Sequence, residues 1–122
     1  MSEKEIRIGI IGLGYVGLPL AIEFSKHFST IGYDISNDRI TQLKNGFDKT
    51  REVNKKVLND SKLILSNDSG AISQCNIYIV TVPTPINEEK TPDLYPLESA
   101  SKLISKSIKK NDIVIYESTV YP

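Results

Sequence analysis

Three glycines, Gly12, Gly14 and Gly17, stand within six residues in "IRIGIIGLGYVGLPLAIEF" (6–24), between an apolar run and a helix-period pattern. In a G-x-G-x-x-G string that follows a strand and opens a helix, the first glycine makes the tight turn. The second admits a pyrophosphate against bare backbone, and the third lets helix touch strand. The free amides at the helix N-terminus then face the phosphates. About 20 residues on stands Asp34, closing "STIGYD" (29–34), where a carboxylate accepts the ribose hydroxyls of an adenosine. The same carboxylate repels a 2′-phosphate, which favours NAD over NADP. Arg39, five residues later, is the opposing feature, because an arginine near that position accommodates the phosphate. Asp34 has a second available role as a cap of the following helix.

Two more segments carry candidates. In "TVPTP" (81–85), Val82, Pro83 and Thr84 follow an apolar run, and in "YESTVYP" (116–122) so does Thr119. The hydroxyls of Thr84 and Thr119 are expected near the second ribose and the nicotinamide, although a threonine in such a place also serves as a turn or cap residue. Glu117 and Tyr116 alternate with apolar positions; a carboxylate there suits an acid or base, with packing or an ion pair as the structural alternative. His27, the only histidine, is expected at the C-terminal end of the first helix, where a positive charge is favourable. Cys75, the only cysteine, reads as a packed thiol, since one cysteine makes neither an internal disulfide nor a zinc cluster.

The elements that must position these residues alternate along the chain. "IRIGII" (6–11) is β-branched and nearly continuous, as a strand buried on both faces must be. "LPLAIEFSKHF" (18–28) follows as a helix that turns Leu18, Ile22 and Phe24 toward the sheet, with Pro19 in its first turn. Residues 29–34 make the second strand, and 36–46 a helix capped by Ser36 and closed by Gly46. The polar stretch 47–60 predicts a loop and a short helix, and 62–66 the third strand. A short capped helix follows over 67–75, then the fourth strand over 76–82, a helix over 96–110 and the fifth strand over 112–118. Four of the six prolines fall in 83–96, which predicts a stiff surface loop. The expected fold class is therefore α/β: a Rossmann-like, doubly wound parallel sheet in three layers, strand order 3-2-1-4-5, with one NAD-binding domain over 1–122. The glycine turn, Asp34, "TVPTP" and "YESTVYP" are then expected to face one crevice at the carboxyl ends of the strands, beside strands 1 and 4, with His27 away from it.

Bulk properties narrow the function. Fifteen Lys plus Arg balance fifteen Asp plus Glu, so no basic stripe points to nucleic acid. The apolar run near the N-terminus is too short for a signal peptide or a membrane span, and the expected location is the cytoplasm.

"GLGYVGLPLA", "GYDISNDRI", "IVTVPTP" and "IVIYESTVYP", in this order and spacing, resemble the UDP-glucose/GDP-mannose dehydrogenase family across all 122 residues. "VPTPINEEKTPDLYPLESASK" and "YESTVYP" are most similar to its UDP-N-acetylglucosamine or UDP-N-acetylgalactosamine 6-dehydrogenase branch. The resemblance implies backbone contacts from Tyr15 and Val16 to the pyrophosphate. It implies Asp34 and Arg39 at the adenosine end, Thr84 on the nicotinamide side, and Thr119 at the nicotinamide and the catalytic water. It further implies oxidation of a sugar C6 alcohol to a uronate with two NAD, through a thioester on a cysteine, for bacterial surface polysaccharides such as capsule or O-antigen. Cys75 does not match that cysteine, and the sugar-binding and dimer-forming parts of the family follow the stretch matched here. The expectation is thus the cofactor part of a homodimeric enzyme, inactive alone toward its UDP-sugar. Two other readings stand beside it: another dehydrogenase class with the same glycine fingerprint, and a regulatory nucleotide-sensing module without catalysis. The segments "TVPTP" and "YESTVYP" speak against the first, and the proline-rich loop against the second.

Overall fold

A computed structural model describes residues 5–117 of the chain. Five strands, β1 (Arg7–Ile11), β2 (Ser29–Tyr33), β3 (Ile64–Ser66), β4 (Ile77–Val80) and β5 (Ile113–Tyr116), form one all-parallel sheet in the order β3-β2-β1-β4-β5. The helices are α1 (Gly17–Ser25), α2 (Asn37–Lys44), α3 (Lys55–Asp60) and α4 (Tyr95–Ser105), with a 3₁₀ helix over Ser69–Gln74.

Alternation along the central strands divides the core into two layers. Ile8 and Ile10 of β1 and Ile79 of β4 pack with Leu18 and Ile22 of α1, Ile40 and Leu43 of α2 and Leu58 of α3. Ile11, Tyr78 and Val80 turn to the other face, against Ile72 and Ala100 and Ile104 of α4. Both faces of β1 are therefore covered, which is why its sequence shows no polar alternation. Cys75 lies in the second layer as a packed thiol, and burial pushes it up to about 11.

Several element ends differ from expectation. α1 stops at Ser25, so His27 lies beyond the helix, exposed, with Nε2 3.8 Å from Glu23 Oε2. The segment 67–75 is a 3₁₀ helix rather than an α-helix, capped by Asp68, which accepts the Gly70 N–H. α4 ends at Ser105, five residues early, and Ile108, assigned by its spacing to the buried stripe, is exposed. At α4 the apolar spacing runs on to Ile108, past the end of the helix. α2 is capped as expected, by Ser36, with Gly46 following at φ +82°. Among the described residues no helix is long and apolar enough to cross a membrane, and no group of three His, Cys, Asp or Glu is placed to hold a metal ion.

Candidate functional site

Because every strand runs the same way, the carboxyl ends of β1, β2, β4 and β5 lie on one edge, and the turns after β1, β2 and β4 emerge there. The order of connection reverses between β1 and β4, and there the crevice of an open sheet forms.

The turn after β1 shows three glycines under three different constraints. Gly12 has φ +106°, and a Cβ on it would lie 2.9 Å from the Val82 backbone nitrogen. Its N–H donates to the Tyr33 carbonyl at 2.8 Å, tying the turn to β2. A Cβ on Gly17 would sit 3.0 Å from the Gly12 carbonyl carbon and nearer still to the Gly12 oxygen and the Thr81 hydroxyl, so helix and turn touch there. Gly14 is the opposite case: a Cβ there would meet no atom within 4 Å. Neither packing nor a positive φ requires glycine at position 14. The open space over it lies beside the start of α1, whose N-cap residue, Val16, supplies no side-chain acceptor to the helix amides. This combination fits a bound pyrophosphate. Tyr15 is exposed and Val16 half-buried in the same turn.

Leu13, between the first two glycines, is held on three sides. Its side chain is fully buried against the bare backbone of Gly32, where a Cβ would lie 3.0 Å from Leu13 Cδ2. Its N–H donates to Asp34 Oδ2 at 2.9 Å, and its carbonyl accepts from Arg39 Nε at 2.8 Å. Asp34 Oδ1 also accepts the Ser36 N–H at 2.9 Å, so Asp34 braces both the glycine turn and the lead-in to α2, while Ser36 does the capping. Two acceptor positions on the carboxylate are used, and an ionised carboxylate has about four.

Arg39 lies differently from a residue reaching out to an adenosine. Its side chain is 7% exposed, and Nη1 donates to Asp48 Oδ1 at 2.8 Å. Asp48, completely enclosed, also accepts from the Thr50 hydroxyl and from the backbone N–H groups of Thr50, Glu52 and Val53. Burial alone would raise its pKa. The hydrogen bonds from Thr50 and Arg39, with those from the Thr50 and Val53 amides, outweigh that and bring it down to about 2.

A carboxylate depressed in the folded state stabilises the fold above its unfolded pKa and loses that contribution as pH falls toward the folded value. Asp48 is therefore expected to contribute about 2.5 kcal/mol near neutrality, lost between roughly pH 4 and pH 2. Urea unfolding at stepped pH checks this. The wild-type chain should lose that much more stability across the window than Asp48→Asn, and equal slopes would refute the assignment.

β4 supplies the opposite wall. Thr81 is buried; its N–H donates to the Ile11 carbonyl and its hydroxyl to the Gly12 carbonyl at 2.6 Å. Val82 is half-buried, Pro83 exposed and Thr84 buried. The expected stiff loop folds on itself, with an antiparallel bridge between Ile86 and Pro92 and Asn87 Oδ1 accepting from Glu89 and Thr91. Tyr116 closes β5 with its hydroxyl 2.8 Å from Ser101 Oγ, and Glu117 is exposed. Thr119 lies outside the described residues. His27 and a hollow of about 440 Å³ between α1 and α3 both lie at the amino edge, away from these groups.

Thr81 and Asp48 were not among the candidates read from the sequence. Thr81 sits inside a quoted motif, yet its role depends on a carbonyl 69 positions away. Asp48 had a local signal, an Asp followed by Thr at the second position in a stretch without periodicity, which marks a side chain folding back on backbone amides.

Comparison with known proteins agrees with this geometry. A model of the UDP-glucose/GDP-mannose dehydrogenase family, NAD binding domain, matches residues 6–122. The UDP-N-acetyl-D-glucosamine 6-dehydrogenase of Pseudomonas aeruginosa is 52% identical over 98% of the chain and 28% of its own length. Protein CapL of Staphylococcus aureus is 43% identical over 94% of the chain and 27% of its own length. The solved UDP-D-ManNAc dehydrogenase of Pyrococcus horikoshii superposes with a TM-score of 0.84 at 33% identity, over 96% of the chain and 29% of that structure. The chain thus spans little more than a quarter of the length of the curated relatives it matches.

Proposed function

The chain belongs to the UDP-glucose/GDP-mannose dehydrogenase family through its NAD-binding domain, and from that premise we propose that it is the cofactor-holding part of a UDP-N-acetylhexosamine 6-dehydrogenase. The observation that carries the site assignment is the open space over Gly14 between a strained turn at Gly12 and a packed contact at Gly17. In this reading the Gly14, Tyr15 and Val16 backbone receives the pyrophosphate of NAD. Asp34 receives the adenosine ribose, and Val82, Pro83 and Thr84 line the nicotinamide side together with Thr119. NAD held by these residues would supply the hydride acceptor for oxidation of the sugar C6 alcohol to a uronate, two NAD per sugar.

Within this chain the residues bind and orient. Leu13 and Thr81 keep the turn rigid, so that the phosphate-facing amides are fixed before the cofactor arrives. The nucleophilic cysteine and the groups that read the sugar belong, in this proposal, to the parts of the relatives that the chain does not span. Cys75 is buried in the core with a raised pKa and serves packing. The names of the relatives support a UDP-N-acetylhexosamine, and CapL supports surface polysaccharide as the product's destination. A homodimeric, cytoplasmic full-length enzyme completes the proposal.

Calorimetric titration of the 122-residue chain with NAD, NADP and UDP-N-acetylglucosamine tests it. NAD should bind, NADP much more weakly, and the sugar nucleotide should give no heat. Absence of NAD binding would overturn the site assignment. Asp34→Ala should weaken NAD by about 1–3 kcal/mol, from lost ribose hydrogen bonds and a released Leu13 N–H. Unchanged affinity would leave Asp34 only its bracing role.

A further inference from the structure

Arg39 and Asp48 form a buried ion pair, and Arg39 shares Leu13 as a hydrogen-bond partner with Asp34, the carboxylate expected at the ribose. Arg39 stands in the first turn of α2, near the positive end of the helix dipole, where a cation is unfavourable. Its Nη2 is buried without a hydrogen-bond partner among the described residues, so the guanidinium is incompletely satisfied where it lies. Two contacts hold it there: the Leu13 carbonyl through Nε, and Asp48 through Nη1. Asp48 is itself immobilised by Thr50, Glu52 and Val53. The Leu13 N–H, on the other side of the same α-carbon, is bound by Asp34. The arginine that would otherwise attract a 2′-phosphate is thus stored under the glycine turn.

We propose that Asp48 is a specificity-determining residue of the nucleotide site: by holding Arg39 in a buried ion pair beneath Leu13, it leaves the charge of Asp34 unopposed at the ribose and so excludes a 2′-phosphate. The inference rests on the NAD-binding reading of the carboxyl edge. Asp48 acts through Arg39 and positions it; it does not touch the nucleotide. Removing the Asp48 charge leaves a buried cation without its counter-ion, which drives the guanidinium out toward water. The water-facing crevice beside Leu13 is where Asp34 stands, so the released Arg39 offsets the Asp34 charge and offers a forked donor to phosphate.

The test is the ratio of NADP to NAD affinity, measured by titration calorimetry on the 122-residue chain below its unfolding temperature. Asp48→Asn should raise that ratio by about tenfold. Adding Arg39→Met in the same chain should return it to the wild-type value. A purely structural role for Asp48 would weaken both nucleotides equally, and an unchanged ratio in Asp48→Asn overturns the proposal. Should Asp48→Asn fail to fold, NMR of the wild-type Arg39 Nε–H during titration with 2′,5′-ADP decides instead. The proposal requires that resonance to stay slowly exchanging and unshifted; a saturable shift would place Arg39 at the phosphate and refute it. If wild type binds neither NAD nor NADP, the nucleotide-site reading itself falls, an outcome distinct from an unchanged ratio.

Discussion

Gly17→Ala is expected to cost the domain about 3 kcal/mol or more, seen as a fall of roughly 10 °C or more in Tm or as failure to fold. Helix propensity works in the opposite direction. At an exposed helical position the same change would stabilise by about 1 kcal/mol, so the sign of the result reports which effect dominates. The added methyl would meet the Gly12 carbonyl and the Thr81 hydroxyl, and neither yields easily. The carbonyl belongs to a turn already at φ +106°, and the hydroxyl is bound to that same carbonyl. Relief requires α1 to lift from β1, opening the layer that Leu18 and Ile22 seal. Thermal unfolding followed by circular dichroism measures the effect. A wild-type Tm in Gly17→Ala would mean that the third glycine is not a packing requirement.

The second large effect separates stability from binding. Gly14→Val should leave Tm nearly unchanged, because its Cβ enters empty space and its φ lies outside the positive range. Surface changes of this kind stay within about 0.5 kcal/mol. The same substitution should weaken NAD about a hundredfold, ~2.7 kcal/mol, by occupying the space assigned to the pyrophosphate. The informative experiment pairs a melting curve with a titration on one preparation. Retained NAD affinity would remove Gly14 from the site, and a collapsed Tm would show that the loss of binding came through the fold. Neighbouring glycines of one short motif are thus expected to fail in different ways, one through folding and one through ligand.

The family match over residues 6–122 separates the chain from the regulatory sensing module and from other dehydrogenase classes with the same fingerprint. It leaves the roles of individual residues to these substitutions. Arg39 shows why they are needed. From spacing alone it stands near a ribose, five positions past Asp34. Its actual partners are the Leu13 carbonyl, 26 positions back, and Asp48, nine positions ahead in a stretch without periodicity.

The strand order, the parallel sheet, the covered faces of β1, the cap at Ser36 and the contrasting demands on Gly12 and Gly17 are all legible in the chain of residues. Each follows from period, β-branching or local backbone geometry, which act over a few positions and carry their signature in residue type. The end of α4 was decided in three dimensions, because an apolar period can outlast the contact it serves. The same holds for the Thr81 buttress, the triple hold on Leu13 and the burial of Arg39 against Asp48. These depend on hydrogen bonds between groups brought together only when β1, β2 and β4 lie side by side. A side chain able to reach water, ligand or backbone has no preference written in its own identity; the surrounding fold decides which partner it meets.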